Sequence, residues 1–429
     1  MGSFSVPLSG LTASQDQLQS VSNNLANIDT DGYKDQNLTF SDVFLQTGAT
    51  NGAGNPLQTG YGVGVSSTVS NFTEGSLNAT GVASNMALSG NGFFITQGSS
   101  GPQDYTRSGD FTTNNQGQIT SPDGKLLLGY PAVNGVVNTA TALQPLQVGS
   151  ATSPAVASTT MQISANLDAG AVVGDTASST LPVYDSLGTA HTLSVTYTMT
   201  APGTWSYAVT MPSTDVTPAG AGATTTVGSG TLNFDSSGML TSTEATGATA
   251  ATLPSAGIAL SIPPTGTTLA DGAAPMAVNW TLETAGSSTI TQTATATTKG
   301  TSATSTNGFA SGILTGYSVG PDGTIDGTFS SGATAALGQV AVASFANVQG
   351  LANTGNNNYQ PTAASGSAVI GVAGTGGRGT VAGGYVEESN VNIATEFAKL
   401  IVAQQAYSAN AKSITTFNQV SQATIAMLQ

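Results

Sequence analysis

The feature that most constrains this fold is a run without glycine or proline, residues 386–429, in a chain of 429 residues that has 54 Gly and 17 Pro. Because these two residues interrupt helices more than any others, their absence predicts one continuous helix. We expect it to span residues 392–429, with Asn392 as the N-cap and Glu396 in the first turn, where a carboxylate favours the helix dipole. Its length would be about 55 Å.

Apolar side chains recur along this predicted helix at the seven-residue spacing that is typical of coiled coils. The two apolar lines are Ile393, Leu400, Tyr407, Ile414 and Leu428, and Phe397, Ala411 and Ile425. An isolated helix is marginally stable in water and gains most of its stability by packing one face. The helix therefore requires a partner surface, either in its own chain or in a second copy.

The N-terminus carries the same seven-residue spacing. Its apolar residues are Phe4, Leu11, Leu18 and Leu25, with Val21 and Ile28 on the adjacent line. Since Pro7 and Gly10 disfavour a helix interior, we predict a helix that begins near Leu11 and ends near Asn27. The chain then has one apolar helical stripe at each terminus.

Charge is sparse and mostly negative, with 7 Lys+Arg against 22 Asp+Glu and a net charge of -15. This balance excludes nucleic-acid binding as a function. Residues 126–298 contain no Lys or Arg and are rich in Thr, Ser, Ala and Gly, a composition that indicates exposed β-structure. The chain has no cysteine, so disulfides and thiolate metal sites are excluded.

No apolar run reaches membrane-spanning length, and the first residues lack the basic and apolar regions of a signal peptide. We therefore expect a chain that either stays in the cytoplasm or is exported by a route without a cleaved signal.

Short acidic loops at Asp322 and Asp326 have too few ligands for calcium and are interpreted as turns. Glu387 and Glu388 are adjacent, which is wrong for a facing carboxylate pair, and are expected to favour entry into the final helix.

Two further motifs could suggest an enzyme. Residues 374–379 satisfy the G-x-G-x-x-G pattern of dinucleotide sites, but the sequence after them does not begin a helix that could hold a pyrophosphate. His191 is the only histidine, and no nucleophile motif accompanies it. We predict no catalytic, cofactor or metal site, and interpret His191 as a strand or turn residue.

Six short motifs follow one another along the chain. They are Ser9-Gly10-Leu11, Ser22–Asn27, Thr30–Lys34, Gly90–Ile95, Tyr105–Phe111 and Gly384–Val391. Together they resemble the bacterial flagellar rod and hook protein family. The resemblance implies that both terminal helices, including Asn24, take part in polymerisation. A capped helix end would explain the Asn-rich turn after the first helix, but not a match at both ends of the chain.

The region of about 149–299 distinguishes members of this family. Its motif residues are Tyr184, Asp185, Gly188, Trp205 and Phe234. They resemble the outer domain of hook proteins, which the shorter rod proteins lack. Asp185 and Gly188 are expected to bracket a turn, and Leu193, Val195 and Tyr197 to share one face of the next strand.

The resemblance implies a mainly β fold with terminal α-helices that form a coiled-coil-like core domain, and with β-rich outer domains, the outermost inserted in the inner one. The expected segments are a helical polymerisation domain (1–34 and 385–429), a connector (35–70 and 371–384), an inner β domain (71–148 and 300–370) and an outer inserted β domain (149–299).

The function that the resemblance implies is that of a structural flagellar hook subunit, not an enzyme. Such a subunit assembles with copies of itself into a curved, flexible tube that acts as a universal joint, transmits torque from the rod to the filament, and encloses the export channel. Expected partners are the distal rod, hook cap, hook-filament junction and hook-length-control proteins and the export apparatus, outside the cell, without nucleic acid or membrane insertion. Alternatives are a distal-rod subunit and a secreted β-rich adhesin or polysaccharide-degrading enzyme.

Overall fold

The computed structural model describes residues 4–50, 56–98, 101–149, 151–219, 222–245, 251–252, 257–284, 287–294 and 300–427. The chain divides into two compact units. The terminal unit comprises residues 1–150, 317–327 and 335–429, and the inserted unit comprises residues 151–316 and 328–334. The described residues are mainly β, with one α-helix near each end, and this confirms the predicted fold class. The four-segment division with its exact boundaries stays a prediction.

The first helix, α1, spans Ser5–Ala26, so the prediction that it begins near Leu11 is wrong. Pro7 lies in the first turn, where the helix requires no backbone N–H from it. Gly10 has a packing role, because a Cβ atom there would lie 2.8 Å from the side-chain nitrogen of Asn410. Pro7 and Gly10 are therefore both compatible with a helix that begins at Ser5.

The last helix, α2, spans Ile393–Met427, close to the predicted range. Asn392 caps it as predicted, since its Oδ1 accepts a hydrogen bond from the backbone N–H of Thr395 at 3.0 Å. The helices α1 and α2 run antiparallel. Phe4 lies beside Phe417, with ring centroids 5.9 Å apart, and Asn24 Nδ2 donates to Glu396 Oε2 at 3.1 Å.

Two long antiparallel strands, β1 (Gln36–Thr50) and β2 (Pro56–Ser70), follow α1. This hairpin occupies most of the segment that was predicted to be a connector with some strand. It lies against α1, because the backbone N–H of Val63 donates to Ser9 Oγ at 3.2 Å and Ser20 Oγ donates to the carbonyl of Gln36 at 3.0 Å.

The remaining strands of the terminal unit are short. They are Leu77–Ala79, Met86–Ser89, Phe93–Gln97, Gln103–Thr106, Thr112–Thr113, Ile119–Thr120, Leu126–Val133, Val136–Val137, Gln144–Pro145, Ala352–Gly355, Asn358–Gln360, Val369–Val372, Thr380–Gly383 and Tyr385–Glu387. Three strands hold residues of both units: Gly312–Val319, Thr324–Phe329 and Thr334–Ser344.

The chain returns to the first β region after the insertion, as predicted. Val340 pairs with Gly129, and Val342 pairs with Phe94. Thr380–Gly383 pairs with Met86–Ser89, so part of the segment predicted as a second connector is a paired strand. It also follows the G-x-G-x-x-G motif directly, and this confirms that no helix begins there. Two clusters of buried side chains, around Phe94 and around Phe93, form the core of this β region.

The inserted unit has two sheets around one core that includes Tyr197, Trp205, Tyr207 and Trp280. The strands of the first sheet, each antiparallel to the next, are Thr176–Tyr184, Ala190–Ala201, Thr204–Pro212, Thr224–Phe234, Leu240–Ala245 and Ala251–Thr252. The second sheet holds Ile258–Ile262, Met276–Thr281, Thr160–Asp168, Ile290–Thr293 and Gly300–Thr306. Five short strands complete the unit: Thr152–Ser153, Val216–Thr217, Thr268–Leu269, Glu283–Thr284 and Ser287–Ser288.

Alternation along the strands of the inserted unit places every second side chain in its core. Leu193, Val195 and Tyr197 are all fully buried, which confirms that they share one face. The predicted turn is also confirmed, because the N–H of Gly188 donates to the carbonyl of Asp185 at 3.1 Å.

Candidate functional site

The terminal helices and the hairpin meet at Asn24, which is 1% exposed. Its Nδ2 donates to Asp35 Oδ1 at 2.6 Å and to Glu396 Oε2 at 3.1 Å, and its Oδ1 accepts from the N–H of Gln36 at 3.0 Å and from the hydroxyl of Tyr33 at 3.1 Å. Burial raises the pKa of Tyr33 to about 12, and the nearby carboxylates of Asp35 and Glu396 add to the shift. The side chain of Asn24 thus links the C-terminal end of α1 to the start of β1 and to the start of α2.

A buried ion cluster lies next to this junction. Glu387 is fully buried, and its Oε1 lies 2.5 Å from Lys34 Nζ while its Oε2 lies 3.3 Å from Arg107 Nη1. The N–H of Gly75 also donates to Oε1, at 2.9 Å. The expectation that Glu387 serves mainly to favour the entry into α2 is therefore wrong, because its carboxylate pairs with two buried cations instead.

The ion cluster joins three motifs that are far apart in sequence. Lys34 ends the motif that follows α1, Arg107 lies in the middle of the β region, and Glu387 precedes α2. Burial lowers the pKa of Lys34, and the adjacent Glu387 carboxylate opposes that shift. We infer that these motif residues are needed mainly to position the terminal helices relative to the β region of the same unit.

The two side chains of α2 that are buried are a polar one and a small one, Glu396 and Ala403. Glu396 and Asn410 contact α1, and Ala403, which lies seven residues from each, is fully buried. Sequence analysis missed Ala403. The sequence feature that could have indicated this close packing is the group of small residues Gly10, Ala13 and Ser14 on α1, because small side chains allow two helices to approach closely.

The apolar lines predicted from the seven-residue spacing lie largely outside this seam. Ile393, Phe397, Tyr407 and Ile425 are 52%, 49%, 38% and 55% exposed. Leu400, Ala411 and Ile414 are half-buried, and Leu428 lies outside the described residues. On α1, Val21 and Asn24 are buried, Phe4 is 37% exposed, and Leu11, Leu18, Leu25 and Ile28 are half-buried. Much of the predicted polymerisation surface is thus open to solvent in a single chain.

The five motif residues of the inserted unit serve its fold. Trp205 and Phe234 belong to its core, Tyr184 ends a strand, and Gly188 adopts a φ of 87° in the turn after Asp185. Asp185 Oδ1 accepts from the N–H groups of Leu187 and Thr189, both at 2.8 Å.

One group of side chains in the described residues is of a metal-ligating type: the ligand atoms of Asp185, His191 and Asp271 lie within 4.8 Å of one another. His191 is buried, and its ring nitrogens lie 3.2 Å from Asp185 Oδ2 and 3.1 Å from Asp215 Oδ2. The pKa of Asp271 is lowered to about 2, chiefly by its hydrogen bond with Asp185 and also by the N–H of Ala273. We interpret the group, together with Asp215, as a hydrogen-bonded cluster that joins Asp185, Asp215 and Asp271 to the strand that holds His191.

Four family models match this chain. They are the "Flagella basal body rod protein" model at residues 5–34, the "Flagellar hook protein FlgE/F/G D1 domain" at 87–168, the "Flagellar basal body protein FlaE D2 domain" at 161–309, and the "Flagellar basal body rod FlgEFG protein C-terminal" model at 382–427. The Salmonella typhimurium protein named "Flagellar hook protein FlgE" is 32% identical over 97% of this chain and 98% of its own length. The chain belongs to the flagellar hook protein family.

A second relative agrees with this assignment. The Borreliella burgdorferi protein of the same name is 32% identical over 97% of each chain. A crystal structure of Helicobacter pylori flagellar hook protein FlgE2 matches 72% of this chain and 100% of its own chain, with 14% identity and a TM-score of 0.49. Among the described residues of this hook-family chain, no helix is both long and apolar enough to cross a membrane.

Proposed function

We propose that this chain is the structural subunit of a bacterial flagellar hook and that it polymerises through its terminal helices. One observation carries the proposal: most apolar side chains of α2 are exposed in the single chain. They are Ile393, Phe397, Ile401, Val402, Tyr407, Phe417, Val420, Ile425 and Met427. A helix with so many exposed large apolar side chains is expected to be covered by other surfaces in an assembly.

The energy available from this surface is large. Burying one Leu, Ile, Val or Phe side chain contributes about 1.5–3 kcal/mol, so several such residues per subunit outweigh the entropy lost on association. No charged residue follows Lys412, so burying the last part of α2 does not require any charged side chain to lose its hydration. Head-to-tail contacts that do not close into a ring generate a helical polymer.

The polymer is a curved tube that acts as a universal joint, transmits torque from the rod to the filament and encloses the export channel. Bending is supported by the low charge of the inserted unit, because neutral hydroxyl contacts exchange with water at little cost. We extend the proposal to an extracellular position, to export through the flagellar apparatus without a cleaved signal, and to contacts with the distal rod, cap, junction and length-control proteins.

The test is sedimentation of concentrated protein, full length beside two variants. Phe397→Asp with Ile401→Asp places two charges on the exposed face of α2, and we expect the sedimenting fraction to fall at least tenfold. Val172→Asp is the matched control, because Val172 is 66% exposed but lies in the inserted unit, and it should sediment like the original chain. Equal sedimentation of both variants would contradict assembly through α2.

A further inference from the structure

The cluster around His191 brings three ligand atoms close together in the inserted unit. Nε2 of the ring lies 3.2 Å from Asp185 Oδ2 and 3.8 Å from Asp271 Oδ2, and all three atoms lie within 4.8 Å of one another. Ligand atoms that surround Zn²⁺ tetrahedrally at about 2.0–2.2 Å are separated from each other by about 3.3–3.6 Å. The spacing around Nε2 is therefore close to that of a zinc site.

Both carboxylates are held so that one oxygen faces the ring. Asp185 Oδ1 accepts from two N–H groups of its own turn, both at 2.8 Å, and Asp271 Oδ1 accepts from the N–H of Ala273 at 3.0 Å. The Thr189 hydroxyl also donates to Asp271. Because these bonds lie within or next to the loops that carry the carboxylates, the Oδ2 atoms stay directed at His191. The fold thus orients the ligand atoms before anything binds.

The fourth member of the cluster, Asp215, fixes the ring of His191. Nδ1 lies 3.1 Å from Asp215 Oδ2. Because a carboxylate oxygen accepts and does not donate, Nδ1 carries the proton, and Nε2 of the neutral ring is then an acceptor that faces two further acceptors. His191 is 2% exposed, so water does not reach Nε2 freely. A carboxylate on the far nitrogen is the usual partner of a metal-binding histidine, because it sets the tautomer and the orientation of the ring.

The charge of the cluster favours a cation. Three carboxylates surround one imidazole, and residues 126–298 contain no Lys or Arg. Asp185 is fully buried, and a buried carboxylate is costly unless a positive charge pairs with it. The hydrogen bond between Asp185 and Asp271 already places a proton between these two side chains. A divalent cation neutralises more of the negative charge than a proton does.

We propose that Asp185, His191 and Asp271 bind one divalent transition-metal ion of the zinc class. An imidazole nitrogen beside two carboxylate oxygens suits Zn²⁺ better than Ca²⁺ or Mg²⁺, which prefer oxygen ligands. The side chain of Asp271 is 26% exposed, so the site is open to solvent on that side and water can complete the coordination. The proposal does not depend on polymerisation, because all three ligands lie in the inserted unit.

The ion joins parts of the inserted unit that no disulfide connects. Asp185 follows the strand Thr176–Tyr184, His191 lies in the strand Ala190–Ala201, and Asp271 follows the short strand Thr268–Leu269. These ligands come together only in the folded unit, so binding favours the folded state over the unfolded chain. The sequence did not predict the site, because Asp271 lies far from the single histidine along the chain.

The direct test is calorimetric titration with Zn²⁺ of the full-length chain, stripped of metal with EDTA and kept below the concentration at which it polymerises. We expect one Zn²⁺ per chain, with a Kd in the micromolar range or tighter. Asp271→Asn should weaken binding at least about tenfold, and Asp215→Ala about tenfold, because the first removes a ligand and the second removes the partner of the ligand. Glu244→Gln is the matched control, since it removes an exposed carboxylate of the same unit, and it should bind like the original chain.

Two further readouts report where the ion binds. Because His191 is the only histidine, a chain with ¹⁵N-labelled histidine gives the signals of one ring, and Zn²⁺ should shift Nε2 while Nδ1 keeps its proton. Zn²⁺ should also raise the midpoint of urea unfolding followed by tryptophan fluorescence, because Trp205 and Trp280 lie in the core of the same unit. Asp271→Asn should largely remove both effects.

Three results would each overturn the metal site: a chain that takes up no Zn²⁺, an Asp271→Asn chain that binds Zn²⁺ as tightly as the original, or bound Zn²⁺ that leaves the His191 signals unchanged. The last result would mean that the ion lies on other carboxylates. None of these results bears on the hook subunit function, which the sedimentation assay tests separately.

Discussion

Replacing Glu387 by Ala should destabilise the terminal unit more than any other single change at the junction. Glu387 accepts from Lys34, Arg107 and the N–H of Gly75, and both side chains of its Lys34 ion pair are fully buried. Removing one member of a buried ion pair costs about 3–5 kcal/mol, because the other charge is left without a partner.

The structure favours the lower end of that range. Lys34 Nζ keeps the carbonyl of Thr73 at 2.7 Å, and Arg107 keeps the carbonyls of Leu88 and Gly90 at 3.2 and 2.6 Å. The remaining acceptors partly solvate both cations, so we expect a loss of about 3 kcal/mol in the free energy of unfolding. Adding Lys34→Met to Glu387→Ala should restore part of this loss, because the orphaned ammonium is removed as well.

The assay can distinguish the two units. The chain has two tryptophans, Trp205 and Trp280, and both lie in the core of the inserted unit. Hydrogen exchange of peptides from the terminal unit should therefore report the loss, while urea unfolding followed by tryptophan fluorescence should not change. Glu388→Ala is the control, because Glu388 is the exposed neighbour and its removal should cost under about 0.5 kcal/mol. A Glu387→Ala chain whose terminal unit stays within about 1 kcal/mol of the original would refute the reasoning.

Three other changes have defined outcomes. His191→Gln should lower the unfolding free energy of the inserted unit by about 1–3 kcal/mol, seen by tryptophan fluorescence, because Asp185 and Asp215 each lose a buried partner; an unchanged midpoint contradicts the role of this cluster. Burial raises the pKa of Tyr207 to about 12, so the folded inserted unit keeps a proton that the unfolded chain loses near pH 10. The contribution of Tyr207 to stability is then constant below about pH 10 and falls between about pH 10 and 12. Tyr207→Phe should therefore reduce the loss of stability over this window, and a larger loss in the variant would show that the sign is wrong. Gly62→Ala should loosen the hairpin from α1 and speed hydrogen exchange at Val63, because the new Cβ meets Ser9; unchanged exchange there would contradict the proposed close contact.

The sequence predicted the elements that depend on local pattern. The absence of Gly and Pro after residue 385, with Asn392 as a cap, was enough to locate α2, and alternation was enough to place Leu193, Val195 and Tyr197 in a core. These features depend on neighbours along the chain, so a single sequence contains them.

The features that the sequence did not reveal depend on distant contacts. Pro7 and Gly10 predicted a later start of the first helix. The structure shows that position 10 requires a small residue because it packs against Asn410, a contact that the sequence does not reveal. The seven-residue apolar lines were visible, but the seam that packs α1 on α2 uses Ala403 and Glu396 instead. The ion pairs of Glu387 could not be predicted, because Lys34 and Arg107 lie 353 and 280 residues away in the sequence.

The central claim is that this chain assembles through its terminal helices, and electron microscopy of concentrated protein tests it most directly. The full-length chain should be imaged beside a version that lacks residues 1–30 and everything after residue 390. We predict curved tubes from the full-length chain and none from the shortened one. A full-length chain that remains monomeric, with α1 and α2 already folded together, would contradict the claim.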